Sequence, residues 1–442
     1  MGLRIPPALH HRQFRYLWIG LMISIAGSQM QIWSIFWQIR TLTDQPIALG
    51  AVGLARILPI IIFSLIGGVV ADTMNRRKLI FITQSVMALA ALALALLTLT
   101  QRIQLWQIYL LTAIQAFAVA FDSPARQSLV PNLVPARDLP NAFSLNSIAM
   151  QVGSIIGPAL SGLVIAYFGL SYIYFFNSAS YGAVIVALVL IGPVKQQILK
   201  PAAGDDAQTD HKRGVLGKLS RRGVNLKAIQ EGIRFILHQP IILSTMLMDF
   251  FATFFASANT LLPIFAVDIL KVGVVQYGWL SAAQSVGAVT AALIISQLKE
   301  IRRQGPIFLW SVVIFGIATV LFGLAKTWQM AFIALVFVGG ADSVSTIIRN
   351  TIRQLQTPDY IRGRMTSINQ IFFMGGPQLG EMEAGLVAQV FGAAFAVVSG
   401  GIGCIVAVLW IIRRWPQLRS YNGDEPVLAG SQPSEPLTSG SG

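Results

Sequence analysis

The sequence predicts an all-α membrane protein of twelve transmembrane helices in two related six-helix halves. Three observations lead there: too few charges to cover a water-exposed surface, apolar runs of bilayer length along nearly the whole chain, and an internal repeat that lays the second half over the first.

Of the 442 residues, 55% are hydrophobic and only 11% are charged, where a soluble domain carries roughly a quarter charged residues. Apolar runs of about 20 residues, the length that crosses a bilayer, fall at 15–38, 48–71, 79–100, 105–125, 142–166, 171–192, 241–266, 276–298, 305–325, 329–348, 366–390 and 393–412. The first run follows Arg4, Arg12 and Arg15, is too long for a signal-peptide core and lacks a small-residue cleavage pattern, so it reads as an uncleaved first helix.

A net charge of +14 raises nucleic-acid binding as a possibility until its distribution is examined. With both termini in the cytoplasm, about 27 of the 32 Lys and Arg fall on the cytoplasmic side and only Arg40, Arg102, Lys271 and Lys326 fall outside. That is the positive-inside pattern of a membrane protein, so the charge reports topology and no nucleic-acid partner is expected. One cysteine, Cys404, rules out an intrachain disulfide and a thiolate metal cluster.

The one long polar interruption separates six spans from six and divides the chain into an N-terminal bundle (1–192), a cytoplasmic linker (193–240), a C-terminal bundle (241–415) and a tail (416–442). The end of the linker carries Val224, Ile229, Ile233 and Ile236 interleaved with Lys227, Glu231 and Arg234, an amphipathic pattern suited to the cytoplasmic membrane face. The tail is rich in Pro, Ser and Gly and is expected to be disordered.

The repeat is direct. An offset of 223 residues lays Arg126 on Arg349, Pro135 on Pro358 and Asn146 on Asn369, and carries Gly153, Gly157, Gly162 and Gly169 onto Gly376, Gly380, Gly385 and Gly392. Nearer each half's start the offset is 228, pairing Gly50 with Gly278 and Asp72 with Glu300. Two halves in parallel orientation put a binding site near the bilayer midplane between them.

After the second span, Gly68, Asp72, Asn75 and the basic run Arg76, Arg77 and Lys78 resemble the cytoplasmic loop signature of the major facilitator superfamily. Gly68 is expected to let helices approach closely. Asp72 can pair with Arg76 or favour the positive end of a neighbouring helix, a contact that must break when the halves rock. Asn75 stands where the family usually has Gly, and Asn tolerates the left-handed turn conformation. In the fifth span, Gly153, Gly157, Pro158, Ser161 and Gly162 resemble the superfamily's antiporter motif, associated with exporters more than importers. Asp122 to Pro131 with Arg126, together with Phe14-Arg15-Tyr16-Leu17-Trp18 and Arg362-Gly363-Arg364, look like the transmembrane secretion effector branch, which includes siderophore- and macrolide-efflux proteins. The resemblance covers about residues 12–415. It implies proton-driven export of a small amphipathic molecule across a bacterial cytoplasmic (inner) membrane by a monomer, with a lipid bilayer and protons as partners and no cofactor.

Ionisable groups inside apolar spans are costly, so each is a site hypothesis. They are Arg56, Asp122, Asp249, Asp342, Glu381 and Glu383. Asp122 lies four residues before Arg126, a spacing that favours a helix-surface ion pair, and Asp342 near Arg349 is its second-half counterpart. Glu381 and Glu383 follow Gly375, Gly376 and Pro377 and, two residues apart, point about 200° from each other. One can face the cleft and exchange a proton there, or else hydrogen-bond a neighbouring helix. Asp249 is the next coupling candidate, and Arg56 can be its counter-ion or can snorkel. Many drug–proton antiporters carry an Arg three residues before a Gln in the fourth span. Here Thr112 precedes Gln115, so that relay is missing and coupling must run elsewhere. Aromatic residues at Trp33, Phe36, Trp37, Phe250, Phe251, Phe254, Phe255, Phe372 and Phe373 suit apolar cargo.

An enzyme would need clustered catalytic groups or metal ligands. His10, His11, His211 and His238 lie in predicted cytoplasmic segments, away from the buried carboxylates, and no metal-ligand spacing appears. Import of a lysophospholipid or sugar by the same fold is the nearest rival to export, and a non-transporting scaffold or receptor a more distant one.

Overall fold

The computed structural model describes residues 6–194, 233–256, 258–298 and 301–423; the first part of the linker and the tail from 424 lie outside the described residues. Twelve long helices follow one another: α1 (Arg12–Leu42), α2 (Pro46–Thr73), α3 (Arg76–Leu99), α4 (Leu105–Leu129), α5 (Leu139–Tyr167), α6 (Leu170–Ile191), α7 (Pro240–Phe255), α8 (Val274–Ser296), α9 (Gln304–Gly323), α10 (Trp328–Leu355), α11 (Asp359–Phe391) and α12 (Ala393–Arg414). No strand occurs among the described residues. Eleven helical segments are long and apolar enough to cross a membrane, and α11, 33 residues long, takes the remaining place in the bundle.

The helix ends follow local chemistry. Pro46 opens α2 and Pro240 opens α7, where a missing N–H costs nothing. Thr327 caps α10 by accepting from the Met330 N–H. Asn75 is extended (φ −63°, ψ 112°) and caps α3, its side chain accepting from the Lys78 N–H at 3.1 Å. The asparagine is therefore an N-cap rather than the left-handed turn residue expected. Gly169 and Gly392, a repeat pair, both take positive φ (97° and 89°) at the turns into α6 and α12, a conformation that favours glycine.

The seventh span departs from the continuous helix expected over 241–266. Helix α7 stops at Phe255 and is followed by a 3₁₀ turn (Ala258–Leu261), a single α turn (Leu262–Ile264) and a π turn (Phe265–Ile269). Pro263 lacks an amide donor and disfavours a regular helix through its position. Broken helices at membrane depth are tolerated where they are enclosed by protein or line a cavity. These turns pack against α1 and α2, so they carry the second half across to the first.

Helix contacts repeat between the halves. The pairs α1·α5, α1·α6, α2·α4, α3·α4 and α3·α6 have counterparts in α7·α11, α7·α12, α8·α10, α9·α10 and α9·α12. The two strong contacts between halves, α2·α11 and α5·α8, are images of each other under the same operation. Repeat-related glycines make both crossings: Gly50 faces Gly385, and Gly278 faces Gly162.

The ends of the bundle differ. One, here the basic end, carries Arg12, Arg15, Arg76, Arg77, Arg302 and Arg303; the far end carries Arg40, Arg102, Lys271 and Lys326. Of the buried apolar clusters among the described residues, the one that draws on both halves sits at the far end, with Phe36, Ile39, Leu49, Phe265, Tyr277 and Phe322. The clusters toward the basic end belong to one half each. Among the described residues the halves therefore join at the far end and share no buried apolar cluster toward the basic end.

Candidate functional site

Arg56 on α2 lies ten residues from that helix's far end, and Glu381 on α11 lies ten residues from its own. At 1.5 Å per residue this puts both about 15 Å deep, near the middle of a ~30 Å hydrocarbon core. Arg56 Nη1 and Glu381 Oε1 are 3.9 Å apart, an ion pair too long to be a hydrogen bond. Glu381 is buried, and its Oε2 makes no hydrogen bond among the described residues. The helices approach there because residue 53 is glycine: a Cβ on Gly53 would sit 2.8 Å from Glu381 Oε2 and 2.5 Å from the Gln378 carbonyl oxygen. Arg56 thus faces Glu381 and not Asp249, whose counter-ion it was on one of two readings. Glu383, pointing elsewhere on the same helix, is half-buried.

Between this pair and the far end, the halves are fastened by specific contacts. The Tyr277 hydroxyl donates to the Trp33 carbonyl oxygen at 2.8 Å, and its ring lies 4.9 Å from that of Trp37. Arg40 pairs with Asp268 at 2.6 Å and also with Asp44. Trp33, Phe36 and Trp37 are thus part of the far-end closure, packed between helices. Phe250 and Phe254 stack on each other, and Phe250 meets Phe372 edge-on at 6.0 Å.

Asp249 on α7 is 1% exposed and has its own partner, Arg349 on α10, which is 2% exposed; Nη2 stands 2.9 Å from Oδ1. The pair is close in charge but poorly aligned for a hydrogen bond, since both Asp249 oxygens lack one. Arg349 also reaches Asp342 at 3.8 Å and donates to the Ser345 hydroxyl at 3.1 Å. Asp342 lines a cavity of about 270 Å³ with Thr253, Asn259 and Gln284, inside the second half. Among the described residues the first half lacks this cross-helix pairing. There Asp122 is fully buried, pairs with Arg126 on its own helix at 2.6 Å, and accepts from Thr83 and Gln84. The Asp122–Arg126 spacing thus does form the expected pair, whereas Arg349's tighter partner is Asp249 and not the expected Asp342.

Gln115 lies buried inside the first half. It accepts from Gln31 at 2.5 Å; Asn177 donates to Gln31 at 2.6 Å, and Ser180 and Tyr181 complete a buried amide network joining α1, α4 and α6. Gln31 and Asn177 escaped the sequence reading, although two amides inside apolar spans were the available signal.

The gating candidates separate by position. Gly153 meets Ile25, and Gly157 meets Gln29 and Ala26, so both let α5 lie close on α1. Gly162 and the Pro158 carbonyl instead face Gly278 of α8. A Cβ on Gly68 would meet nothing within 4 Å, so the expected close approach is made by the adjacent Gly67, against Ala120 of α4. Arg76 donates to the Ser128 carbonyl and to Asn132 (2.8 Å each), and Arg77 to the Leu188 carbonyl at 2.7 Å. The side chains of Asp72 and of 362–364 lie outside the described residues.

The sequence matches the family model described as transmembrane secretion effector over residues 6–204 and 207–432. It is 26% identical over 422 residues to the enterobactin exporter EntS of Citrobacter koseri, covering 95% of this chain and 96% of that one. It is 25% identical over 424 residues, with the same coverage, to the enterobactin exporter EntS of Escherichia coli SMS-3-5. Among solved structures, a POT family transporter in complex with 5-aminolevulinic acid superposes with a TM-score of 0.69 at 13% identity, covering 95% of this chain and 98% of that one. A bacterial homologue of the iron transporter ferroportin in the inward-facing state gives 0.64 at 14% identity, covering 93% and 99%. At these identities the structures establish a shared fold.

Proposed function

We propose that this chain, which belongs to the transmembrane secretion effector family, exports a small amphipathic molecule of siderophore or drug type in exchange for protons. The family is one of major facilitator superfamily transporters and not of enzymes. Similarity along 95% of the chain to exporters of enterobactin supports efflux, and the concentration of Lys and Arg at the basic end supports a cytoplasmic location for that end. On that orientation the cleft faces the cytoplasm, where cargo enters.

The observation that carries the reading is the Arg56–Glu381 pair at mid-depth, among the described residues the charged contact between the halves that lies deepest in the bundle. While Glu381 is ionised, its attraction to Arg56 holds α2 against α11. Rocking toward the outside separates them and exposes the carboxylate to external water, where it takes a proton as cargo leaves. With the proton on Glu381, the halves reclose without that charge pair, and the proton passes to the cytoplasm. Alternating access thus couples to one carboxyl, with Glu383 and Asp249 as further carriers.

In proteoliposomes, cargo should stimulate proton movement, and the Glu381→Gln, Glu383→Gln double variant should lose it while remaining folded. Full coupled transport in that variant removes both carboxyls from the mechanism. Cells with and without the protein, compared for accumulation of siderophores and macrolides, identify the cargo.

A further inference from the structure

The outer face of the second half carries a groove of about 560 Å³ between α8, α9 and α10. Its floor exists because Gly287 and Gly340 remove side-chain bulk where α8 crosses α10, and its walls are Ile294, Ile307, Trp310 and Phe337, all exposed. The two hydroxyls in the lining are already satisfied: Thr290 donates to the Val286 carbonyl at 2.8 Å and Ser311 to the Phe308 carbonyl at 2.7 Å. The groove therefore offers hydrocarbon an apolar surface with no hydroxyl left wanting a partner.

Its mouth is different. Arg302 and Arg303 stand there, both exposed. Among the described residues the Arg303 guanidinium makes no hydrogen bond or ion pair, and its backbone takes a left-handed conformation (φ 56°), uncommon outside glycine and asparagine. At the corresponding start of α3, by contrast, Arg76 and Arg77 give their donors to protein carbonyls and Asn132. From Arg303 to Ile314 the groove follows α9 for 11 residues, roughly 16 Å, close to the hydrocarbon depth of one leaflet in a ~30 Å core. Charge at the mouth, apolar walls below it and one-leaflet length together match a lipid whose headgroup is anionic.

We propose that this groove is a binding site for one anionic phospholipid of the leaflet at the basic end, its phosphate on Arg303 and Arg302 and an acyl chain along Ile307, Trp310 and Phe337. The site is separate from the transport cleft and does not depend on the identity of the cargo.

The test is native mass spectrometry of the full chain exchanged against phosphatidylglycerol and, separately, phosphatidylcholine of the same acyl length. An arginine near the surface strengthens anionic-lipid attraction about fivefold, and Arg303, without a partner among the described residues, supplies at least that factor. The wild-type protein should retain phosphatidylglycerol preferentially, and Arg302→Gln with Arg303→Gln should reduce that preference by about this factor. Ala291→Leu, which narrows the groove without touching the arginines, should weaken retention of both lipids. Equal retention of the two lipids by the wild type, an unchanged preference in the double arginine variant, or retention that Ala291→Leu leaves untouched would each overturn the proposal.

Discussion

Adding a single methyl group at Gly278 or at Gly50 should drive the protein out of the state in which its far end is closed. A Cβ on Gly278 would lie 2.9 Å from the Gly162 Cα and from the Pro158 carbonyl oxygen; one on Gly50 would lie 2.7 Å from the Glu381 carbonyl oxygen and 3.2 Å from the Gly385 Cα. These atoms are all backbone, so no side chain can rotate aside and the helices must move apart. Overpacking of this kind costs about 1–3 kcal/mol. If the halves alternate as proposed, this contact is lost when the far end opens, so alanine at either position should shift the closed-to-open ratio by about 5- to 150-fold. Spin labels at Asp44→Cys and Lys271→Cys, in a Cys404→Ala background, report the far-end opening as a longer interlabel distance. The internal twofold relation makes the two crossings equivalent, so Gly278→Ala and Gly50→Ala should shift the distance distribution similarly. Gly68→Ala, whose Cβ meets nothing within 4 Å, should leave it unchanged. An unaltered distribution in both crossing variants, or an equal shift in Gly68→Ala, would mean that the glycine crossings do not hold the far end closed.

Three further outcomes follow from buried polar contacts. Asp249→Asn leaves Arg349 with Asp342 at 3.8 Å as its remaining acidic partner among the described residues; breaking a buried pair costs about 3–5 kcal/mol, so folded yield should fall sharply and recover in part when Arg349→Gln is added. Asn177→Leu strips Gln31 of its donor at a cost of about 1–3 kcal/mol, a fall in Tm that exposed Gln127→Ala should not reproduce. Arg40→Gln removes a pair at the exposed far end worth about 0–1 kcal/mol, so its effect on the label distances should be small and should vanish at high salt.

Much of this architecture was legible in the chain because membranes impose one-dimensional rules. A lipid core demands apolar runs of fixed length, and charge asymmetry across the bilayer is written in the loops. The repeat offsets went further: glycines matched at 223 and 228 residues became the two glycine crossings and the paired left-handed turns of Gly169 and Gly392. Helix-surface spacing sufficed for Asp122 and Arg126, four residues apart on one helix.

Partners on different helices were not legible. Nothing in the order of residues says that Arg56 meets Glu381 while Asp249 meets Arg349, because each pairing depends on which faces two helices turn to each other after packing. The same holds for Gly67 making the contact expected of Gly68, and for Gln115 lying within the amide network of the first half. Local hydropathy and spacing were enough for the number and repetition of the spans, though not for where the seventh breaks. Which buried charges meet, and which end is closed, came from packing alone, since both depend on how faces of separate helices dock across the repeat.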